Sequence, residues 1–192
     1  MLSETELAKV TDREWILTKQ VITDKAVQLF NMQVPVITEL FQPRLQSCPF
    51  PELLSAAPKI SKGENYLGLP WVMLDYPAVF SKEHVFAVRT MFWWGNFVSI
   101  TLHLGGKYKN LAGENADEYF RQSGEGLFLC INEDQWHHHF EPGNYREASG
   151  ISLHGLMERP FIKVALKYDL QDWNQLQSLL HGGYTKLAGL LK

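Results

Sequence analysis

The chain has 192 residues, which fits one large domain, and its 45% apolar and 12% aromatic content is enough for a sizeable core and excludes disorder. The formal net charge is −3, and the lysines and arginines are scattered rather than clustered. A protein that binds nucleic acid by neutralising phosphates usually carries a basic stripe, and a membrane-surface helix is usually basic and amphipathic, so we expect neither class. We predict a single globular domain spanning residues 1–192.

The cysteines and the N-terminal residues indicate the cellular compartment of the protein. The first residues lack the basic and apolar regions of a secretory signal, and no window approaches the roughly 18 apolar residues of a membrane span. The two cysteines, Cys48 and Cys130, have no C-x-x-C spacing, which is typical of a reducing environment rather than a disulfide scaffold. These features predict a cytoplasmic protein that does not associate with membranes.

The N-terminal region is predicted to be helical. Ser3-x-x-Glu6 and Thr11-x-x-Glu14 both have the form of a capping box, in which a hydroxyl and a carboxylate satisfy free amide donors. Apolar residues follow at helical spacing and indicate a face turned to a core. Pro35 should kink or restart this helix, and Pro43 should end it.

Residues 42–63 are predicted to form an internal, irregular, proline-rich loop. The stretch contains Pro43, Pro49, Pro51 and Pro58 and ends in Ser61-Lys62-Gly63. It is long enough to cross one face of the domain.

A β-hairpin is the clearest local prediction. Gly95-Asn96 separates two β-rich runs and suits a two-residue turn, because glycine adopts the positive φ that such turns require. Counting outward from that turn places Trp94 opposite Phe97 and puts eight side chains on one face. They are Val88, Thr90, Phe92, Trp94, Phe97, Ser99, Thr101 and His103. The other face is more aliphatic, with Arg89 as its only charge, and we expect it to lie against the main core.

Further strands are predicted at 127–132, 136–140, 151–157 and 161–168, with a short helix near 116–122. A final helix should be capped by Asp169, run through Leu180, and break at Gly182-Gly183. Strands flanked by helices without βαβ alternation predict an α+β fold with a central, mostly antiparallel sheet of about five to seven strands. A long N-terminal helical region and a C-terminal helix should cover that sheet.

The run Trp136-His137-His138-His139-Phe140 raises the question of a metal site. On a strand, His137 and His139 would point the same way, as two ligands of zinc or another divalent metal require. The alternative is a solvated polar turn, which we favour because an H-x-H pair is short and common. No cofactor is therefore predicted, although a metal at this pair stays open.

Two strands carry a hydroxyl-x-histidine pattern, Thr101-x-His103 and Ser152-x-His154. If the two strands lie in one sheet, His103 and His154 could converge and exchange protons with a ligand or bind an anion. The alternative is a pair of histidines on a solvated face. We find no phosphate-binding or nucleophile-elbow motif.

Aromatic residues concentrate between Trp71 and Phe97 and make both faces of the hairpin tip apolar. Core packing is the first interpretation, followed by self-association and by a ligand pocket. The sequence favours a non-catalytic domain that binds a small molecule or a protein partner through the aromatic, hydroxyl and histidine face. The predicted ligand-binding residues are Thr90, Phe92, Trp94, Phe97, Ser99, Thr101, His103 and His154. The alternative function is a metal-dependent hydrolase that uses His137 and His139.

Overall fold

The computed structural model describes residues 1–112, 116–148 and 158–191. The four α-helices within these ranges are α1 (Glu4–Thr11), α2 (Arg13–Gln46), α3 (Ala116–Ser123) and α4 (Leu176–Ala188). The strands are β1 (Lys59–Tyr66), β2 (Leu69–Phe80), β3 (Val85–Trp93), β4 (Phe97–Gly105), β5 (Phe128–Cys130), β6 (Tyr145–Glu147) and β7 (Phe161–Asp169). They form one antiparallel sheet in the order β1-β2-β3-β4-β7-β5-β6, which confirms the predicted α+β class.

The helices differ from the prediction in where they begin and end. The capping box at Ser3 and Glu6 is present, but Asp12, not Thr11, caps α2 by accepting the Trp15 N–H at 2.9 Å. Helix α2 then runs through Pro35 and Pro43 to Gln46. It stays continuous because an apolar stripe packs on the sheet and outweighs the lost backbone hydrogen bonds. The buried members of that stripe are Ala26, Leu29, Phe30, Ile37, Phe41 and Leu45.

The predicted loop over residues 42–63 is shorter than expected. Its first residues belong to α2, a single 3₁₀ turn occupies Pro51–Leu53, and β1 begins at Lys59. The polar sequence of β1 gave no strand signal, because it lies at the sheet edge and its order depends on pairing with β2. None of the helices in the described part of the chain has the length and apolar character that a membrane span requires.

One face of the sheet packs against α2 and α4. The buried aliphatic side chains of this helical face include Leu74, Val88, Ile100 and Leu102. A polar contact also lies here, because the hydroxyls of Thr90 on β3 and Tyr184 on α4 are 2.6 Å apart. This face contains the main core.

The hairpin reverses direction at Gly95-Asn96 as predicted, but its register differs by one residue. The turn has three residues, 94–96, with Gly95 at φ +69° and the Asn96 N–H bonded to the Trp93 carbonyl at 3.1 Å. Trp93, not Trp94, therefore lies opposite Phe97. Because side chains alternate along a strand, this shift exchanges the two faces of β3 relative to β4. The predicted division into an aromatic face and an aliphatic face is wrong.

The C-terminal third confirms one strand and corrects two other predictions. Strand β7 spans 161–169 as expected, whereas residues 136–140 are a loop; the strand predicted at 151–157 lies outside the described residues. Helix α4 does not break at Gly182-Gly183. A side chain at Gly183 would meet the Tyr168 hydroxyl at 2.0 Å, so glycine there permits close helix-to-sheet packing rather than a turn.

Candidate functional site

The face of the sheet opposite the helices is covered by residues 131–144, the connection between β5 and β6, which we call the covering segment. The hydroxyl oxygen of Tyr66 accepts the backbone N–H groups of His138 at 2.7 Å and His139 at 3.2 Å. The ammonium group of Lys163 donates to the carbonyl oxygens of Gln135 at 2.9 Å and His137 at 2.5 Å. Two side chains from the sheet therefore hold the middle of the segment.

Aromatic packing fixes the end of the covering segment next to β6. Phe140 stacks on Tyr145 with 4.5 Å between ring centroids. It also meets Phe97 and Phe128 edge-on, at 5.0 and 5.1 Å. These rings form an apolar wall beside the polar groups of the sheet.

A largely buried ion pair lies on the same face. Arg89 on β3 makes a bidentate contact with Asp75 on β2, with Nε–Oδ1 at 2.6 Å and Nη2–Oδ2 at 3.0 Å. Its Nη1 lies 3.0 Å from Nε2 of His138. Because a guanidinium only donates, His138 accepts at Nε2 and is neutral. Burial, followed by the charges of Lys163 and Arg89, lowers the pKa of His138 well below its usual value.

Lys163 on β7 is the second cation of this face, and it is only 1% exposed. Among the described residues, no carboxylate forms an ion pair with it. The ring centroid of Tyr145 lies 5.5 Å from its Nζ. Burial lowers the pKa of Lys163 to about 8, which leaves it mostly protonated at neutral pH.

His103 on β4 lies next to Lys163 across the β4–β7 pairing and is 5% exposed. Trp136 and Phe161 contact its ring edge-on, at 5.7 and 5.6 Å between centroids. Its Nε2 atom is buried and makes no hydrogen bond within the described residues. Burial, and then the neighbouring Lys163, lowers the pKa of His103 to about 3 against the opposing effect of a side-chain hydrogen bond with Gln135, so the ring is neutral at physiological pH.

The structure separates the residues predicted to bind a ligand. Phe97, Ser99, Thr101 and His103 share the covered face, as alternate residues of β4. The remaining described members lie on the helical side: Thr90 bonds to Tyr184, Phe92 packs on Trp173 at 5.6 Å, and Trp94 packs on Phe92 at 5.5 Å. The eight-residue face is wrong because of the register shift, and His154 lies outside the described residues.

His137 and His139 lie on the covering segment and not on a strand. Nδ1 of His137 is 3.3 Å from Nε2 of His139, and Nε2 of His137 is 3.3 Å from an Asp134 oxygen. In the part of the chain that the structure describes, no group of three or more histidine, cysteine or carboxylate side chains has the arrangement of a metal site. A metal at this pair stays a prediction.

Sequence reasoning missed most of the charged and polar members of the covered face. Asp75, Tyr66 and Lys163 come from three different strands, and His138 comes from a loop, so no local motif connects them. The sequence did indicate a special role for Arg89, because it is the only charge in the predicted aliphatic face of the hairpin. A charge flanked by apolar residues on a strand usually has a buried partner, and Asp75 is that partner.

Comparisons with models of protein families, with curated proteins and with solved structures found no match for this chain.

Proposed function

We propose that this protein is a non-catalytic module that binds a small molecule between the sheet and the covering segment. The observation that carries the proposal is the buried Nε2 of His103, which lacks a partner within the described residues. Buried polar atoms are nearly always hydrogen-bonded, and exceptions deserve a functional explanation. A ligand that occupies this face supplies that partner.

The surroundings of His103 are consistent with a ligand site. Such sites are mostly apolar, with a few polar groups that fix the orientation of the ligand. Here Trp136 and Phe161 flank the imidazole, and the charged groups of Arg89 and Lys163 are the nearby polar anchors.

Access to this face requires only a local change. The covering segment, all of which the structure describes, contains neither helix nor strand. Moving its middle part breaks the bonds to Tyr66, Lys163 and Arg89 and leaves the sheet ladder intact. Ligand-binding loops are commonly such low-stability parts of a fold.

A thermal-shift screen over a metabolite library tests the proposal with a matched pair of variants. His103→Leu removes the polar atom from the covered face, whereas Trp94→Phe alters a residue on the helical side. Ligands should raise the melting temperature of the wild type and of Trp94→Phe but not of His103→Leu, because only ligands selective for the native state stabilise it. Ligands that stabilise His103→Leu as strongly as the wild type would show that the site lies elsewhere.

A second candidate, a metal-dependent hydrolase using His137 and His139, is favoured by their mutual contact and by the proximity of Asp134. Elemental analysis of the purified protein, compared with a His137→Ala/His139→Ala double variant, tests it. A stoichiometric metal that the double variant loses would support this function, and a metal that cannot be loaded would remove it. Self-association and a cytoplasmic location stay predictions.

A further inference from the structure

We infer, on the basis of the binding site proposed above, that the ligand is a small organic anion whose carboxylate or phosphate is held by Lys163, Arg89 and His103. The inference rests on the balance of charge and on the strand register of the covered face.

The buried and largely buried groups of the covered face carry more positive than negative charge. Arg89 and Lys163 are cations, Asp75 is the buried carboxylate, and the two histidines, His103 and His138, are neutral. Asp75 is already engaged by both of its oxygens with Arg89. The ammonium of Lys163 instead donates to two backbone carbonyls. A buried cation without a counter-ion is costly, and a ligand anion would balance it.

The register brings the three donors within reach of one ligand group. Arg89 pairs with Thr101 across β3 and β4, and Thr101 pairs with Ala165 across β4 and β7. In the next row of the same face, His103 pairs with Lys163. Directly paired Cβ atoms on neighbouring strands are about 5 Å apart, and the diagonal neighbours remain within reach of long side chains. Ala165 and Thr101 are short, and the longer side chains of Tyr145 and Phe161 pack with Ala165 in one buried cluster.

Binding of the ligand would change the hydrogen-bond partners of Lys163 and Arg89. Lys163 would release the carbonyls of Gln135 and His137 as the covering segment moves, and Arg89 would release His138. The ligand oxygens would accept those donors. The Nε2 atom of His103 would supply a further donor in the tautomer that carries its proton there.

The aromatic surroundings favour an anion with an apolar body. The guanidinium carbon of Arg89 lies 5.6 Å from the ring centroid of Phe80, and Nζ of Lys163 lies 5.5 Å from that of Tyr145. Rings around a cation exclude water and strengthen its attraction to an anion. An aromatic carboxylate should therefore bind more tightly than a small hydrated ion.

Matched ligand pairs test the charge of the ligand separately from its shape. We would titrate the protein with benzoate against benzamide, with acetate against acetamide, and with inorganic phosphate, at an ionic strength fixed with sodium chloride. Two readouts are needed: the melting temperature and the ¹H–¹⁵N signals of the His103 imidazole. The second readout reports on this face alone.

Three variants complete the design. Lys163→Met removes the charge and keeps the length, Lys163→Arg keeps the charge, and Lys167→Met removes an exposed lysine of the same strand and the same face. Benzoate should stabilise the wild type and shift the His103 signals, whereas benzamide should do neither. Lys163→Met should weaken benzoate binding about tenfold or more, because hydrogen bonds to charged groups are the strong ones. Lys167→Met should change it less than about twofold, as expected for an exposed charge, and Lys163→Arg should retain binding.

The outcomes separate this inference from the proposed function. If the amides bind as tightly as their carboxylates and shift His103, the anion inference is wrong and the small-molecule site stands. If Lys163→Met and Lys167→Met weaken benzoate equally, the assignment of Lys163 is wrong. If none of the five compounds shifts the His103 signals, the anion inference is wrong. If, in addition, no compound in the metabolite screen stabilises the wild type more than His103→Leu, the proposed function is wrong as well. Phosphate binding without benzoate binding would identify a phosphate site and overturn the preference for an apolar body.

Discussion

Replacing His103 by glutamine should remove much of the acid sensitivity of the fold. Burial and the nearby charges of Lys163 and Arg89 lower the pKa of the folded imidazole to about 3. In the unfolded chain the same group titrates near pH 6.5. Between these two values the unfolded chain binds a proton that the folded protein does not. The free energy of unfolding therefore has its full value above about pH 6.5 and falls as the pH is lowered towards 3.

The size of the effect follows from the two pKa values. Proton linkage gives a loss of about 2 kcal/mol at pH 5 from His103 alone, and at most about 5 kcal/mol at pH 3. His138 acts in the same direction, because its pKa is also lowered by burial and by Lys163 and Arg89. The glutamine variant keeps an amide donor but cannot titrate in this range. Its stability should therefore fall by about 2 kcal/mol less than that of the wild type between about pH 7.5 and pH 5.

Urea unfolding followed by circular dichroism measures this difference, at constant ionic strength and at several pH values from about 7.5 to 5. His181→Gln is the matched control, because His181 is exposed on α4. The control should follow the wild-type pH dependence. If His103→Gln loses stability as steeply as the wild type, the imidazole is not held neutral by its surroundings, and the description of the covered face is wrong.

Two further predictions concern packing and charge. Gly183→Ala should destabilise the protein by about 1–3 kcal/mol, because the new Cβ would lie 2.0 Å from the Tyr168 hydroxyl. Gly182→Ala is the matched control: a Cβ there has nothing within 4 Å, so the change should stabilise α4 by up to about 1 kcal/mol. Melting temperatures that move alike in the two variants would refute the close helix-to-sheet contact. Arg89→Met alone should cost about 3–5 kcal/mol because it leaves Asp75 buried and unpaired, and the double variant Arg89→Met/Asp75→Leu should cost less. Additive losses in a urea double-mutant cycle would show that the pair does not interact.

Local sequence patterns were sufficient for the fold class and for several elements. The capping box at Ser3, the alternation in residues 161–168 and the Gly95-Asn96 reversal each depend on neighbours within a few residues, and each is present in the structure. The absence of βαβ alternation correctly indicated an antiparallel sheet. Such features are encoded locally and need no knowledge of the packed molecule.

The register of the hairpin was not decided locally. A glycine with positive φ fits both two- and three-residue turns, so Gly95-Asn96 alone does not fix which residue faces Phe97. Packing decides it: the three-residue turn places Phe92 and Val98 together against the helices, and leaves Arg89 on the side of Asp75. This single residue of register separates three of the eight predicted ligand-binding residues, Thr90, Phe92 and Trp94, from the others.

The predicted break of helix α4 was wrong for a similar reason. Two consecutive glycines normally weaken a helix, and the sequence therefore predicted a break. The structure continues the helix because Gly183 lets its backbone approach Tyr168 and Ile100. Tertiary contact outweighs intrinsic propensity at this position, and no pattern within the helix itself reveals the contact.

The two lysines of β7 show why the covered face is more than a polar surface. Lys163 and Lys167 alternate with Ile162, Val164 and Leu166, a pattern that is typical of a strand with one solvated face. Lys167 is exposed as expected, but Lys163 lies under the covering segment and is 1% exposed. Methionine at this position would have a similar length and would avoid burying a charge, although the carbonyls of Gln135 and His137 would lose their donor. A functional site commonly carries groups that reduce the stability of the fold. A charge that is costly under the covering segment would also attract an anionic ligand, and for this reason we propose the site at Lys163 and His103 rather than at the exposed pair His137 and His139.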